Sequence, residues 1–235
     1  MGRKIAILHG WESKIERWQP LKSELEKAGF AVFLPQLPGF GQAEPPKVPW
    51  SVADYAQWVK ERLPKEYFLV GHSFGGRIAI KLASQNPAGL RKLILIDSAG
   101  IKPKKTLKYF IFWLLAKIGK LFFLIPPFLF WRNFARRVLY KLAGERDYYQ
   151  AKGVMRETMK KVISEDLKGD LRKIKVPTLI LWGKEDSQTP LSDGELMNHL
   201  IPNSSFLVFP HADHSLPLKL PEKVDLAIIK FLKTS

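Results

Sequence analysis

The sequence predicts a doubly wound α/β domain on a mainly parallel six-stranded sheet, with a helical lid inserted before the last two strands. Three observations carry this. Short β-rich runs alternate with helical patterns along the whole chain. The runs are apolar at consecutive positions, as in Leu93-Ile94-Leu95-Ile96, rather than at alternate ones. A glycine-rich turn joins the third run to the helix behind it. A strand apolar on both faces is covered by helices on both faces, as in a parallel sheet. Strand–helix alternation then implies right-handed crossovers.

The first strand is Lys4–Leu8, and the helix after it spans Glu16–Ala28, with Gly29 as its C′ residue. Ala31–Leu34 is the second strand. Ser51-Val52-Ala53-Asp54 resembles a capping box opening a helix over Val52–Leu63. The third strand, Tyr67–Val70, leads into a helix over Gly75–Gln85, and Lys92–Ile96 is the fourth. Roughly 80 residues separate it from the fifth strand, Thr178–Trp182, far more than one crossover helix needs. Residues 100–173 are therefore expected to form a lid of several helical pieces, divided at Pro126-Pro127. Residues 1–99 and 174–235 form the core. A helix over Gly194–Leu200, a last strand at Phe206–Phe209 and a helix over Pro221–Leu232 complete it.

Composition narrows the class. A length of 235 residues with 46% hydrophobic and 26% charged content fits a large folded domain and excludes a disordered chain. With no cysteine, disulfide scaffolds, thiolate metal sites and cysteine nucleophiles are excluded. Ile5–Leu8 is too short for a secretory signal core and lacks a cleavage site. The longest uncharged apolar runs of the insert, Tyr109–Ala116 and Leu121–Trp131, fall short of the ~18–20 residues of a membrane span. A cytoplasmic protein is expected.

The net charge of +16 is concentrated. Ile101–Lys175 holds 19 basic and 6 acidic residues, and Ile101–Gly144 holds ten basic residues and no acid. Nucleic-acid-binding signatures are missing, and the cations sit among bulky apolar residues, so no nucleic-acid partner is expected. Two readings remain for Lys104, Lys105, Lys117, Lys120, Arg132, Arg136 and Arg137. One is a lid with solvated cations outside and an acyl pocket beneath. The other is weak contact with an anionic membrane surface, as basic amphipathic helices make.

The chemistry starts at Gly71-His72-Ser73-Phe74-Gly75, a G-x-S-x-G pattern between a strand and a helix. Such a turn lifts the Ser73 hydroxyl above the sheet, where the helix N-terminus favours a developing negative charge. A serine needs a base to become a nucleophile. His9 and His72 are expected to pack or orient backbone, and His199 to lie on a helix surface. His211 and His214 both follow the last strand, and His214 is the choice. The third member is expected at another strand end, between serine and histidine in chain order. Asp186 meets that condition, with Glu185 facing solvent. Asp97, at the end of the fourth strand, competes, while Asp213 is too near His214 to orient it.

With these residues the chain resembles the α/β-hydrolase-fold superfamily, in its lid-bearing branch of esterases, lactonases and carbon–carbon hydrolases. The motifs are Leu8-His9-Gly10-Trp11, Leu37-Pro38-Gly39-Phe40-Gly41, the GHSFGG turn, Trp182-Gly183-Lys184-Glu185-Asp186 and His211-Ala212-Asp213-His214. The resemblance implies that the backbone amides of Trp11 and Phe74 bind the oxyanion. It also implies a carboxylesterase that works through an acyl-enzyme and needs no cofactor or metal, with an ester or lactone as substrate. Other readings are a membrane-associated lipase or, last, a binding protein on a hydrolase scaffold. Ser73 argues against dehalogenases and epoxide hydrolases, which carry aspartate there. Three departures stand out: Gln36-Leu37 replaces an acid, Ala212-Asp213 replaces a small-residue pair, and the two leading antiparallel strands are expected to be missing.

Overall fold

The computed structural model describes residues 3–11, 13–102 and 151–234. Six strands, β1 (Lys4–Leu8), β2 (Ala31–Phe33), β3 (Tyr67–His72), β4 (Leu90–Ile96), β5 (Thr178–Gly183) and β6 (Ser204–Phe209), form one sheet in the order β2-β1-β3-β4-β5-β6. Every pairing is parallel, with Ala6 beside Leu69, Leu69 beside Leu93 and Leu95 beside Ile180. The doubly wound sheet is thus as the apolar runs predict. All six carboxyl ends lie at one edge, where loops of an open α/β sheet converge on a ligand.

Strand side chains alternate between two apolar layers. Ala6, Leu8, Leu69, Leu95 and Ile180 face α2 (Val52–Lys60), α3 (Phe74–Ala83) and α6 (Leu191–Leu200). Ile5, Ile7, Val70, Ile94 and Leu181 face α1 (Gln19–Lys27) and α8 (Pro221–Lys233). The four inner strands, β1, β3, β4 and β5, are therefore buried on both faces, while the edge strands β2 and β6 are partly exposed.

The first helical region differs from a single helix over Glu16–Ala28. A 3₁₀ turn, Ile15–Trp18, precedes α1, because Pro20 has no amide to donate back into an earlier turn. The end of α1 closes as a Schellman motif, with Phe30 N bonding Leu25 O and Gly29 N bonding Glu26 O. The Ser51–Asp54 capping box is formed in full. The helix α2 stops at Lys60, short of Leu63, since Pro64 disfavours helical backbone at the residue before it.

The end of the insert supplies α4 (Gly153–Ser164) and α5 (Lys168–Leu171), and a further short helix, α7 (Leu216–Lys219), precedes α8. Val162, Leu167 and Leu171 join the core layer under α3. Buried Arg77 of α3 donates to Glu165 O at 3.0 Å, and Lys81 pairs with Asp170 at 3.0 Å. The runs Tyr109–Ala116 and Leu121–Trp131 and the break at Pro126-Pro127 lie outside the described residues.

Candidate active site

Ser73 sits between β3 and α3 with φ 52° and ψ −116°, a strained conformation for a residue with a side chain. Its amide donates to Ile96 O at 3.2 Å, and its carbonyl accepts from Gly76 and Ala99 at 3.0 and 3.1 Å. The tight turn explains the flanking glycines. A Cβ on Gly71 would lie 2.7 Å from Gly75 O, and one on Gly75 would collide with the Leu8 carbonyl.

The loop after β6 brings His214 to Ser73, with Nε2 2.9 Å from Oγ. Its Nδ1 lies 2.8 Å from Asp186 Oδ2, in the loop after β5. Ionised Asp186 can only accept, so Nδ1 carries the proton and Nε2 offers a lone pair to the serine hydroxyl. The Asp186 side chain is fully buried, while His214 keeps 13% of its side chain exposed. Burial alone would push the Asp186 pKa up. The hydrogen bond and charge of His214, together with bonds from Thr189, outweigh it and hold this carboxyl below its ordinary value. Oδ1 of Asp186 accepts the amides of Gln188 and Thr189 at 2.8 and 2.9 Å.

The other candidates fall elsewhere. Asp97 is completely buried, and its Oδ1 accepts the Gly183 amide at 2.8 Å, tying β4 to the end of β5. Burial, opposed by that amide and reinforced by the Asp186 charge, pushes its pKa up to about 7. No hydrogen bond joins Asp97 to His214 among the described residues. Asp213 accepts from Ser215 N and Lys219 Nζ, at 3.0 and 2.7 Å, within its own turn. His211 is exposed beside exposed Glu185, and His199 lies on the surface of α6.

Trp11 follows β1, and its amide has no hydrogen-bond partner among the described residues. Phe74 opens α3, so its amide lacks an intrahelical partner. Gly10 lies against the elbow: a Cβ there would be 3.3 Å from Ser73 Cβ. Fully buried His9 accepts from Leu37 N through Nε2 at 3.1 Å, which leaves Nδ1–H to donate to Gly10 O at 2.8 Å. In a trans peptide this holds the Trp11 N–H in the opposite direction. Trp11 packs edge to face on both Phe40 and Phe74, with centroids 4.8 and 5.1 Å away. No group of His, Asp or Glu able to hold a metal occurs among the described residues.

Motif reading did not single out Thr189, whose Oγ1 donates to Asp186 Oδ2 at 2.6 Å. The three-residue spacing from Asp186 to Thr189, typical of a carboxylate closing its own turn, was the available signal.

A family model described as alpha/beta hydrolase fold matches residues 5–219. A pimeloyl-[acyl-carrier protein] methyl ester esterase of Pseudoalteromonas atlantica is 30% identical over 233 residues, covering 91% of this chain and 88% of that protein. An esterase from Exiguobacterium antarcticum superposes with a TM-score of 0.75 at 22% identity, over 100% of this chain and 94% of that one. An enol-lactonase from Burkholderia xenovorans superposes at 0.74 and 18% identity, over 100% and 92%. The two solved structures speak for the fold, and the family model with the P. atlantica relative speaks for descent: this chain belongs to the alpha/beta hydrolase fold family.

Proposed function

We propose that this protein is a serine hydrolase that cleaves carboxylic esters of small to medium acyl substrates through an acyl-enzyme. The Ser73–His214–Asp186 hydrogen-bond chain is the observation that supports this reading most directly. Ser73 Oγ attacks the ester carbonyl while its proton passes to His214 Nε2, and Asp186 stabilises the resulting imidazolium. The backbone amides of Trp11 and Phe74 receive the oxyanion. As the tetrahedral species collapses, His214 protonates the departing alcohol. A water then gives its proton to His214 and attacks the acyl carbon, and Ser73 leaves with that proton.

The esterase relatives are named for a methyl ester, and a fold neighbour for an enol-lactone. A lactone is therefore the second substrate class, since the same steps open an ester whose alcohol is tethered. Carbon–carbon hydrolysis would use the same three residues. In this reading residues 100–173 are the lid over the site with solvated cations outside, and weak contact of those cations with an anionic membrane surface is the alternative. Ser73→Ala should abolish turnover of chromogenic esters, and a fluorophosphonate should label Ser73 alone. Retained turnover, or a label elsewhere, would refute the assignment. Esters of graded acyl length assayed beside several lactones rank the substrate classes. Co-sedimentation with anionic but not zwitterionic vesicles, weakened by salt, tests the surface contact.

A further inference from the structure

His72, the variable residue of the elbow, is a half-buried residue that the hydrolytic steps leave without a task. It ends β3, where it pairs with Ile96, so its backbone is held by the sheet one residue before the nucleophile. Its Nε2 lies 3.0 Å from the carbonyl oxygen of His214, a residue 142 positions away. A carbonyl only accepts, so Nε2 carries the ring proton and Nδ1 is bare. That Nδ1 is buried with no hydrogen-bond partner among the described residues. Protein interiors seldom keep an orphaned acceptor. An apolar side chain in this slot would remove it, so the gain from histidine lies in the donor on the other side of the ring.

We propose that His72 is a positioning residue, whose Nε2–H holds the main chain of His214 against the elbow so that the base stays aligned on Ser73. The inference rests on the catalytic reading of Ser73 and His214 given above. Other bonds hold the His214 loop at a distance from the elbow: Ala212 O accepts from Glu185 N at 2.8 Å, and Asp213 O accepts from Leu216 N at 3.0 Å. Both anchor it to its own turn or to the β5 loop. The His72 bond ties the base's own peptide to the strand that carries the nucleophile. The side chains then meet at 2.9 Å as a consequence of two nearly adjacent anchors.

The ring also has to tolerate its neighbour. The His72 and His214 ring centroids are 5.0 Å apart, and Trp18 covers His72 at 5.4 Å. Burial, assisted by the charge of His214, lowers the His72 pKa to about 3. The ring therefore stays neutral when His214 takes the serine proton, and the Nε2–H remains a donor throughout the cycle.

Two measurements test this. Nitrogen-15 NMR of the wild-type protein near neutral pH should show a bare Nδ1 and a protonated Nε2 for His72. The reverse tautomer overturns the proposal, whatever happens to activity. In kinetics with a soluble ester, His72→Leu should lower kcat on the order of 10- to 100-fold with KM little changed. His72→Gln, whose amide can reach the place of the Nε2–H, should recover most of that loss. Equal losses in the two folded variants, or a wild-type kcat in His72→Leu, would overturn it. If neither variant folds, the NMR tautomer decides. Turnover surviving in Ser73→Ala would instead sink the catalytic reading and leave the tautomer result intact.

Discussion

Thr189 Oγ1 lies 2.6 Å from Asp186 Oδ2 and 3.2 Å from His214 Nδ1, so one hydroxyl touches both the acid and the base. It has a single proton. Nδ1 already carries one for Asp186, so the hydroxyl proton goes to the carboxylate. Thr189 thereby helps keep Asp186 ionised in a site from which its side chain is fully shielded. Thr189→Val keeps the shape and removes the bond, leaving the buried carboxylate one donor short. Such a loss is worth about 1–3 kcal/mol, which corresponds to roughly a 5- to 150-fold drop in kcat. Steady-state kinetics beside a thermal melt separates this from simple destabilisation. A variant with wild-type kcat would remove Thr189 from the mechanism.

The two buried aspartates should rank in a definite order. Asp186→Asn removes the anion from His214 Nδ1 and should reduce kcat on the order of 10³- to 10⁴-fold. Asp97 touches Gly183 instead, so Asp97→Asn should cost far less turnover. The opposite ranking would move the acid to the end of β4.

Much of this architecture was legible because parallel strands declare themselves by consecutive apolar residues. Lys4–Leu8 is the clearest case, with the same limits in sequence and structure. Strand ends were less legible. Ser204 and Ser205 belong to β6 through pairing with Thr178 and Leu179, and nothing in their polarity says so. At the site, chain order and strand ends pointed to Ser73, Asp186 and His214, and the structure hydrogen-bonds these three. The bond from His72 to the His214 carbonyl could not be read in advance. It depends on two loops meeting across 142 residues, and a local pattern carries no trace of that distance.

Asp97 should also imprint itself on stability. Its pKa is about 7 in the folded protein against 3.8 when unconstrained, so the folded state binds more protons between these values. Stability from this group is full below the unfolded value and is lost as pH rises through the folded one. His72 acts oppositely, but between about 3 and its ordinary 6.5. From about pH 6.5 to about pH 8 the Asp97 contribution is exposed, and about 1 kcal/mol should disappear, a fall of about 2–4 °C in Tm. Asp97→Asn, with no proton to lose, should flatten that decline. Melts of both proteins at the two pH values decide it, and an unchanged slope in the variant would place the titrating group elsewhere.

Gly75 in the elbow and Gly169 in α5 face opposite packing environments. A Cβ on Gly75 would strike the backbone carbonyl of Leu8, where α3 presses on β1, and neither element can withdraw. Sheet pairing holds β1 on both sides, between β2 and β3. Gly75→Ala should therefore destabilise by about 1–3 kcal/mol or more, and shift the Ser73 turn with it. Gly169 in α5 has the same residue change available with nothing within 4 Å of the new Cβ. There the helix gains an alanine, and Gly169→Ala should stabilise by about 0.5–1 kcal/mol. Urea melts of the two variants read both signs in one experiment. A Gly75→Ala protein as stable as wild type would mean that the close approach of α3 to β1 is not needed to form the elbow.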